Sequence, residues 1–280
     1  ALKSAEKMAG HLLEELDSAG ISIVKTGAYR GMPSSSILEP MILLYNRTGK
    51  SKYLGFARYI IDEWETNDGP RLISKALSGV PVAARFPNPP KWWSWDNGQK
   101  AYEMMACYDG LLEMYRITRK TELLKAVEMT AKSIIDTELN IAGGGSAYEC
   151  WFQGKDKQTI PAYHMMESCV TQTWIKLCTN LLKITGNPIY ADQIERTYYN
   201  ALLASMTPDG SSFAKYSTLE GNRGLGEDQC GMHINCCIAN APRAVMQLPE
   251  VYMMTNKNTI YINMYNEGGA RFMLEKNNTV

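Results

Sequence analysis

Neither sign of charge is in excess in this sequence. Its 29 lysines and arginines balance 29 aspartates and glutamates, so the formal net charge at pH 7 is zero. Proteins that bind nucleic acid or an anionic membrane surface usually carry a basic excess, and we therefore expect no nucleic-acid partner. Uninterrupted apolar runs of the roughly 18 residues that a membrane-spanning helix needs are also missing, so no membrane span is expected.

The cysteine pattern does not resemble a disulfide framework. The seven cysteines are an odd number and cluster in the second half of the chain, where Cys236 and Cys237 are adjacent. A chain of 280 residues, 45% of them hydrophobic, can bury a sizeable core without cross-links. Free buried thiols or a metal site fit better. Reduced thiols suit the cytoplasm and metal-bound thiols also persist in a periplasm, so the compartment stays open.

Apolar periodicity of the helical kind runs through most of the chain. One helix face is formed by Leu2, Ala5, Met8, Ala9, Leu12 and Leu16. A short motif then recurs around Thr48, Thr118 and Thr185, where one helical segment ends and another begins. This repetition predicts αα-hairpins. Hairpins in register stack either into a solenoid or into a closed α/α toroid.

Two long segments are predicted to be irregular, residues 66–98 and residues 141–161. Loops of this length inside a compact domain are usually functional. The first contains Trp93 and Trp95, whose rings could stack on the apolar face of a sugar. The alternative, that these tryptophans attach the loop to the core, is equally compatible with the sequence.

The periodicity of the apolar residues changes near residue 255. Residues 259–265 alternate with period two, which predicts the first hairpin of a β-domain. We therefore expect a helical domain over residues 1–255 and the beginning of a β-domain over residues 256–280.

The strongest chemical signal combines Glu167 and Cys169 with the adjacent Cys236 and Cys237. Three thiols and one carboxylate form a four-ligand set that suits tetrahedral zinc. The spacing differs from that of a zinc finger, and separate buried thiols or a strained disulfide between the adjacent cysteines are the alternatives.

A helix is expected directly after the cysteine pair, with Asn240 as its cap and Pro242 in its first turn. The positive end of this helix, together with the charge of Arg243, would lower the pKa of the preceding thiols.

These motifs resemble one known family. The Glu-x-Cys169 motif, the helix Tyr190–Leu203 and the Cys236-Cys-x-x-Asn-x-x-Arg motif are similar to those of the β-L-arabinofuranosidases of glycoside hydrolase family 127, and the similarity covers most of the chain. The resemblance implies an (α/α)6 barrel followed by β-sandwich domains. It also implies a zinc held by Glu167, Cys169, Cys236 and Cys237.

The same resemblance assigns catalytic roles. Cys236 would be the nucleophile of a retaining reaction on a glycan, and Glu149, which follows the glycines 143–145, would be the acid/base. Two further candidates are weaker. Tyr216 could support the sulfur of Cys236 or belong to the core, and His233 could contact the sugar or lie at the surface.

The chain departs from the family pattern in two ways. It has only three histidines, whereas family members place several around the sugar, so the resemblance supports the reaction type better than arabinofuranose specificity. It also lacks the family's usual N-terminal part and most of the β-domains, and we expect a partial chain.

Other functions remain open at this level. One alternative is a carbohydrate-binding or scaffold toroid in which the zinc is purely structural. Another is a lyase or epimerase on the same toroid, with a tyrosine or histidine as base. The oligomeric state is open too.

Overall fold

The computed structural model describes residues 1–86, 98–160, 164–226, 235–257 and 259–272. The chain divides into two compact units, Ala1–Asn140 with Gly145–Pro161, and Ile141–Gly144 with Ala162–Val280. Three of the predicted sugar contacts lie outside the described residues: Trp93, Trp95 and His233. None of the helices in the described ranges combines the length and apolarity that crossing a membrane requires.

The first unit is built from helices packed in pairs. They are α1 Leu2–Ala19, α2 Met32–Ser35, α3 Leu38–Thr48, α4 Ser51–Trp64, α5 Leu72–Leu77, α6 Ala101–Thr118 and α7 Thr121–Thr137. Helices α3 and α4 form one hairpin and α6 and α7 another, and α3 also packs against α6. Helix α6 is central because it is buried along most of its length, with Met104, Tyr108 and Leu111 fully inaccessible.

The first predicted irregular segment is partly helical, which corrects the prediction for residues 66–98. Helix α5 forms there and buries Leu72, Ile73 and Ala76 against the first unit. Six residues are too few to produce a recognisable helical period in the sequence, and the prolines of the segment indicate turns instead.

The second unit surrounds another buried helix. Its elements are α8 Ser168–Thr185, α9 Pro188–Arg196, a π-helix Thr197–Leu202, α10 Leu203–Ser205, α11 Cys236–Gln247, α12 Pro249–Tyr252, β1 Met253–Asn256 and β2 Thr259–Ile262. Helix α8 packs against α9 and α11. Only its C-terminal end and a few polar side chains reach solvent, so α8 fixes the position of whatever its first turn carries.

The recurring threonines have the same role in all three turns. Each is the last residue of its helix (α3, α6 or α8), and the residue that follows is left-handed. Each hydroxyl donates to the carbonyl four residues earlier and accepts the N–H two residues later. The predicted repetition of helical hairpins is therefore visible at the level of single hydrogen bonds.

The predicted β-texture at the C-terminal end is also present. Strands β1 and β2 pair antiparallel, with Met253 opposite Ile262 and Asn256 opposite Thr259. The prediction of a mainly helical chain followed by the start of a β-domain is confirmed. The predicted boundary between residues 255 and 256 falls within β1, and that division stays a prediction.

Candidate active site

Four potential metal ligands meet in the second unit. Glu167, Cys169, Cys236 and Cys237 each offer one donor atom, and these atoms all lie within 4.8 Å of one another. Two helix N-termini bring them together. Glu167 directly precedes α8 and Cys169 is its second residue, whereas Cys236 and Cys237 are the first two residues of α11. Because α8 and α11 pack against each other, chain segments 69 residues apart share one site.

The start of α11 differs from the prediction. Asn235 is the cap, since its side-chain oxygen accepts the N–H of Cys237 at 3.1 Å, and its amide donates to the carbonyl of Leu225 at 2.8 Å. Asn240 and Pro242 lie inside the helix, so the predicted cap was wrong. Pro242 has no N–H to donate to the carbonyl of Ile238, so α11 lacks one backbone hydrogen bond at that point. The two thiols therefore sit within the first turn, where the positive end of the helix dipole acts on them directly.

The four donors differ in their access to solvent. Glu167, Cys169 and Cys237 are buried, and only Cys236 is exposed. The Cys237 sulfur lies 3.4 Å from the Cys169 sulfur and 3.5 Å from Oε1 of Glu167, and the Cys236 sulfur lies 3.9 Å from the same oxygen. The Cys236 sulfur is thus accessible to solvent, whereas the other three donors of the cluster are enclosed beside it.

The thiols do not ionise equally. Hydrogen bonds from Cys169 and from Cys237, with the positive charge of Lys215 as a further contribution, hold the pKa of Cys236 well below its usual range. Because Cys169 and Cys237 serve as donors in this cluster, their pKa values are raised. Of the three thiols, Cys236 is therefore the first to ionise, and thiolate is the form that attacks carbon or binds a metal.

Lys215 contributes positive charge near the cluster and was not among the residues predicted from the sequence. It is buried, and its carbonyl accepts the N–H of Ser168 at 2.9 Å, which ties its segment to the first turn of α8. The positive charge near Cys236 is that of Lys215, whereas the predicted contributor Arg243 donates to Asn240 at 3.1 Å. A lysine between apolar neighbours in residues 213–216 was the available signal.

Tyr216 lies beside this group. It is buried, its ring centroid lies 4.6 Å from that of His164, and the Lys215 ammonium lies 5.1 Å from its centre. The core interpretation of Tyr216 fits this burial, and a contribution to the Cys236 sulfur stays a prediction. His164 has a left-handed backbone (φ 57°) three residues before Glu167.

Glu149 belongs to the first unit and is held by an ion pair with Lys100. Both side chains are largely buried, at 15% and 8% exposure respectively. The Glu149 carbonyl accepts the N–H of Ala101 at 2.9 Å, and Cys150 forms a β-bridge with Lys100. The segment that carries Glu149 is thereby attached to the start of α6.

The charges around Lys100 explain how an ammonium group tolerates this burial. Burial lowers the pKa of Lys100, but the carboxylates of Glu103 and Glu149 more than offset it, so the net shift is upwards. The ammonium also lies 5.6 Å from the ring centre of Tyr29, whose own pKa burial raises to about 12. Lys100 is therefore a permanent cation beside Glu149.

The backbone near Glu149 is strained. Ser146, Tyr148, Glu149 and Gln153 all have φ between 49° and 69°. Side chains other than glycine seldom adopt this region, and residues that do so concentrate at functional sites. The segment is therefore held in a conformation that its own sequence does not favour.

The donor set fits zinc. Three sulfurs and one carboxylate oxygen match the number and the chemistry of ligands in tetrahedral zinc sites. Close approach of a carboxylate and several thiols would be repulsive once they ionise, and a divalent cation removes that repulsion.

Comparisons with known proteins identify the family of this chain. The model of the β-L-arabinofuranosidase GH127 catalytic domain matches residues 1–250. A solved GH127 β-arabinofuranosidase is 22% identical, with a TM-score of 0.62 over 84% of this chain and 36% of its own. No protein in the curated set matches the chain in sequence.

Two further structures have the same fold. A GH127 β-L-arabinofuranosidase from Geobacillus stearothermophilus T6 is 16% identical, with a TM-score of 0.59 over 85% of this chain and 41% of its own. A structure described as a glycoside hydrolase is 16% identical, with a TM-score of 0.64 over 94% of this chain and 45% of its own. The present chain thus spans less than half the length of each of the three.

Proposed function

Because this chain belongs to the GH127 family of β-L-arabinofuranosidase catalytic domains, we propose that it is a retaining glycosidase with Cys236 as nucleophile and Glu149 as acid/base. The observation that carries the proposal is the asymmetry of the cysteine cluster. One thiol of lowered pKa is exposed, and the groups that lower it are buried behind it. The substrate class is a glycan, and a terminal β-L-arabinofuranoside is the first substrate to test.

Each residue then has a defined task. In the first step the Cys236 thiolate attacks the anomeric carbon, the glycosidic C–O bond breaks, and the protonated Glu149 carboxyl gives its proton to the leaving oxygen. In the second step water attacks the same carbon, Glu149 accepts a proton from the water, and Cys236 leaves as thiolate. Two displacements at one carbon retain its configuration.

The four clustered donors, Glu167, Cys169, Cys236 and Cys237, would hold the zinc ion. When bound, zinc keeps thiols deprotonated and makes a sulfur an acceptable leaving group. The chain's own contribution is to orient Cys236 outwards from the first turn of α11, to bury the other three donors and to place the Lys215 charge nearby. Lys100 fixes the position of the Glu149 side chain through their ion pair.

The test compares Cys236→Ala with Cys178→Ala, which removes a buried thiol of α8 that is not one of the four donors. With 4-nitrophenyl β-L-arabinofuranoside, Cys236→Ala should abolish turnover with the circular-dichroism spectrum retained, and Cys178→Ala should remain active. A furanose-configured epoxide should add its mass to Cys236 in the parent chain. Undiminished turnover by Cys236→Ala would exclude the proposed nucleophile.

A second candidate function has one observation in its favour. Three of the four donors are buried and link the segment before α8 to the start of α11, as a purely structural metal would require. In a glycan-binding protein of this kind, Cys236→Ala would lower the melting temperature and leave glycan affinity unchanged. Titration calorimetry with arabinan oligosaccharides distinguishes the two functions.

A further inference from the structure

Glu138 binds the loop that follows Glu149 through three consecutive backbone groups. Its Oε2 accepts the N–H of Phe152 at 2.9 Å, of Gln153 at 3.0 Å and of Gly154 at 3.3 Å. Three successive N–H groups converge on one oxygen because Gln153 is left-handed, with φ 62°. Such a concave row of N–H groups is an anion-binding nest, and here the anion is a side chain of the same chain.

The position of this carboxylate is unfavourable in two respects, although the Thr137 hydroxyl also donates to its Oε1 at 3.3 Å. Glu138 caps the C-terminal end of α7, where the negative end of the helix dipole opposes a negative charge. It is also fully buried, and burial raises its pKa to about 7. The three N–H groups and the Thr137 hydroxyl offset part of these costs, so the loop and the carboxylate stabilise each other.

The loop held in this way is the one that carries Glu149. On one side residues 147–151 are attached to the start of α6 through Lys100 and Ala101. On the other side residues 152–154 are attached to the end of α7 through Glu138. The first of these attached segments contains the left-handed residues Tyr148 and Glu149, whose conformation costs roughly 1–2 kcal/mol per residue without external support.

From this geometry we propose that Glu138 is a positioning residue, which fixes the Glu149 carboxylate by clamping residues 152–154 to α7. The inference rests on the proposed function for the catalytic role of Glu149, but the clamp itself is a property of the first unit. Its consequences for the backbone and for the kinetics can therefore be measured separately.

The backbone test is amide hydrogen exchange in the 280-residue chain. In Glu138→Ala the amides of residues 152–154 should exchange about ten-fold faster or more, and the paired amides of Ala147 and Cys150 should follow, because the clamp is lost. Glu138→Gln keeps one acceptor oxygen and should retain most of the protection, which also guards against misfolding of the alanine variant. Unchanged exchange at Ala147 and Cys150 in Glu138→Ala would overturn the proposal.

Two control variants sharpen this reading. Glu113→Gln changes a partly buried glutamate of α6 that pairs with Arg116, and it should leave the loop amides unaffected. Gln153→Gly supplies a residue that adopts the left-handed region without strain. If Glu138 holds Gln153 in that region, adding Gln153→Gly to Glu138→Ala should restore part of the lost protection, and no restoration would argue against the clamp.

The kinetic test uses two leaving groups. Glu138→Ala should lower kcat with KM within about two-fold, and the loss should be larger, about ten-fold, for an alkyl than for a nitrophenyl arabinofuranoside, whereas Glu138→Gln, which keeps most of the clamp, should retain most of kcat for both. An alkoxide needs the proton of a well-placed acid, whereas nitrophenolate does not. Equal losses for both substrates would contradict positioning. If Glu149→Gln itself has no effect on turnover, the proposed function is wrong, and hydrogen exchange alone decides the clamp.

Discussion

Cys169 and Cys237 occupy equivalent positions in two different helices, and their sulfurs lie 3.4 Å apart. Each is the second residue of its helix, α8 or α11, and both helices direct their positive ends at the same point. A cluster with a carboxylate and three ionisable thiols is thereby stabilised by backbone dipoles before any cation arrives. The site is a property of helix packing as much as of its cysteines.

Metal content is the first expected outcome. The purified chain should contain one zinc, and replacement of Cys169 or Cys237 by serine should remove it, because each is an enclosed donor of the four-ligand set. When the concentration of free zinc is 1,000 times the dissociation constant of the site, binding stabilises the folded chain by about 4 kcal/mol. Chelation should therefore lower the melting temperature. Elemental analysis and native mass spectrometry measure the stoichiometry.

The control for metal content is Cys178→Ala, whose thiol lies elsewhere on α8. It should keep its zinc and show only the stability loss of a small cavity. A metal-free chain with all seven cysteines freely titratable would contradict the metal centre and the mechanism built on it.

The cap of α11 can be tested against a matched cap in the same unit. Asn235→Ala should cost about 1 kcal/mol in stability and should also weaken zinc binding, because it loosens the turn that carries two ligands. Asn187 caps α9 in the same way, accepting the N–H of Ile189 at 3.1 Å. Asn187→Ala should cost a similar amount without changing zinc affinity, as measured by competition with a chromophoric chelator.

The buried carboxyl of Glu138 should make stability depend on pH. Its pKa is raised from 4.5 to about 7, so the folded chain retains a proton that the unfolded chain has released between these values. The contribution of Glu138 to the free energy of unfolding should therefore be complete below pH 4.5 and should decrease as pH rises towards 7, by at most about 1.4 kcal/mol per pH unit. Urea unfolding at pH 5 and pH 7 measures the slope. Glu138→Gln should remove this contribution and Glu113→Gln should keep it; equal slopes in both variants would refute the assignment.

The ion pair between Lys100 and Glu149 should behave as a buried pair. Lys100→Met leaves a buried carboxylate without its cation and should cost about 3 kcal/mol or more, whereas Lys100→Met with Glu149→Gln should recover much of that loss. The exposed pair of Lys132 and Asp136 provides the comparison, and its removal should cost less than about 1 kcal/mol. Additive losses in the double variant, by chemical denaturation, would show that the two side chains do not interact.

The helical hairpins were predictable because their signals are local. Apolar spacing indicates the helices α1, α3 and α6, and a threonine followed by a left-handed residue defines the end of α3 and of α6. Helix α5 escaped because six residues contain less than two turns of pattern. Its burial depends on neighbours that the local sequence does not reveal.

The four donors of the site could be predicted from the sequence, but the residues that surround and position them could not. The sequence motif identified four donors, and the structure brings their ligand atoms together. The sequence predicted a cap at Asn240 because Pro242 indicated a first turn there, whereas Asn235 is the cap and Pro242 lies inside α11. Lys215 and Glu138 act through tertiary contacts, and apart from the apolar neighbours of Lys215 no local pattern indicates them.

The threonine hydroxyl of each of the three turns forms its hydrogen bonds within that turn. Each hydroxyl bonds only to backbone groups of its own turn, at Leu44 and Lys50 in the first case. Because the threonine of such a turn needs no hydrogen-bond partner outside the turn, the same turn can form between different pairs of helices. A chain of this kind can therefore lengthen by duplication of a whole hairpin. The three turns are the kind of mark that such copying would leave, and they make this fold one that gene duplication can build in steps.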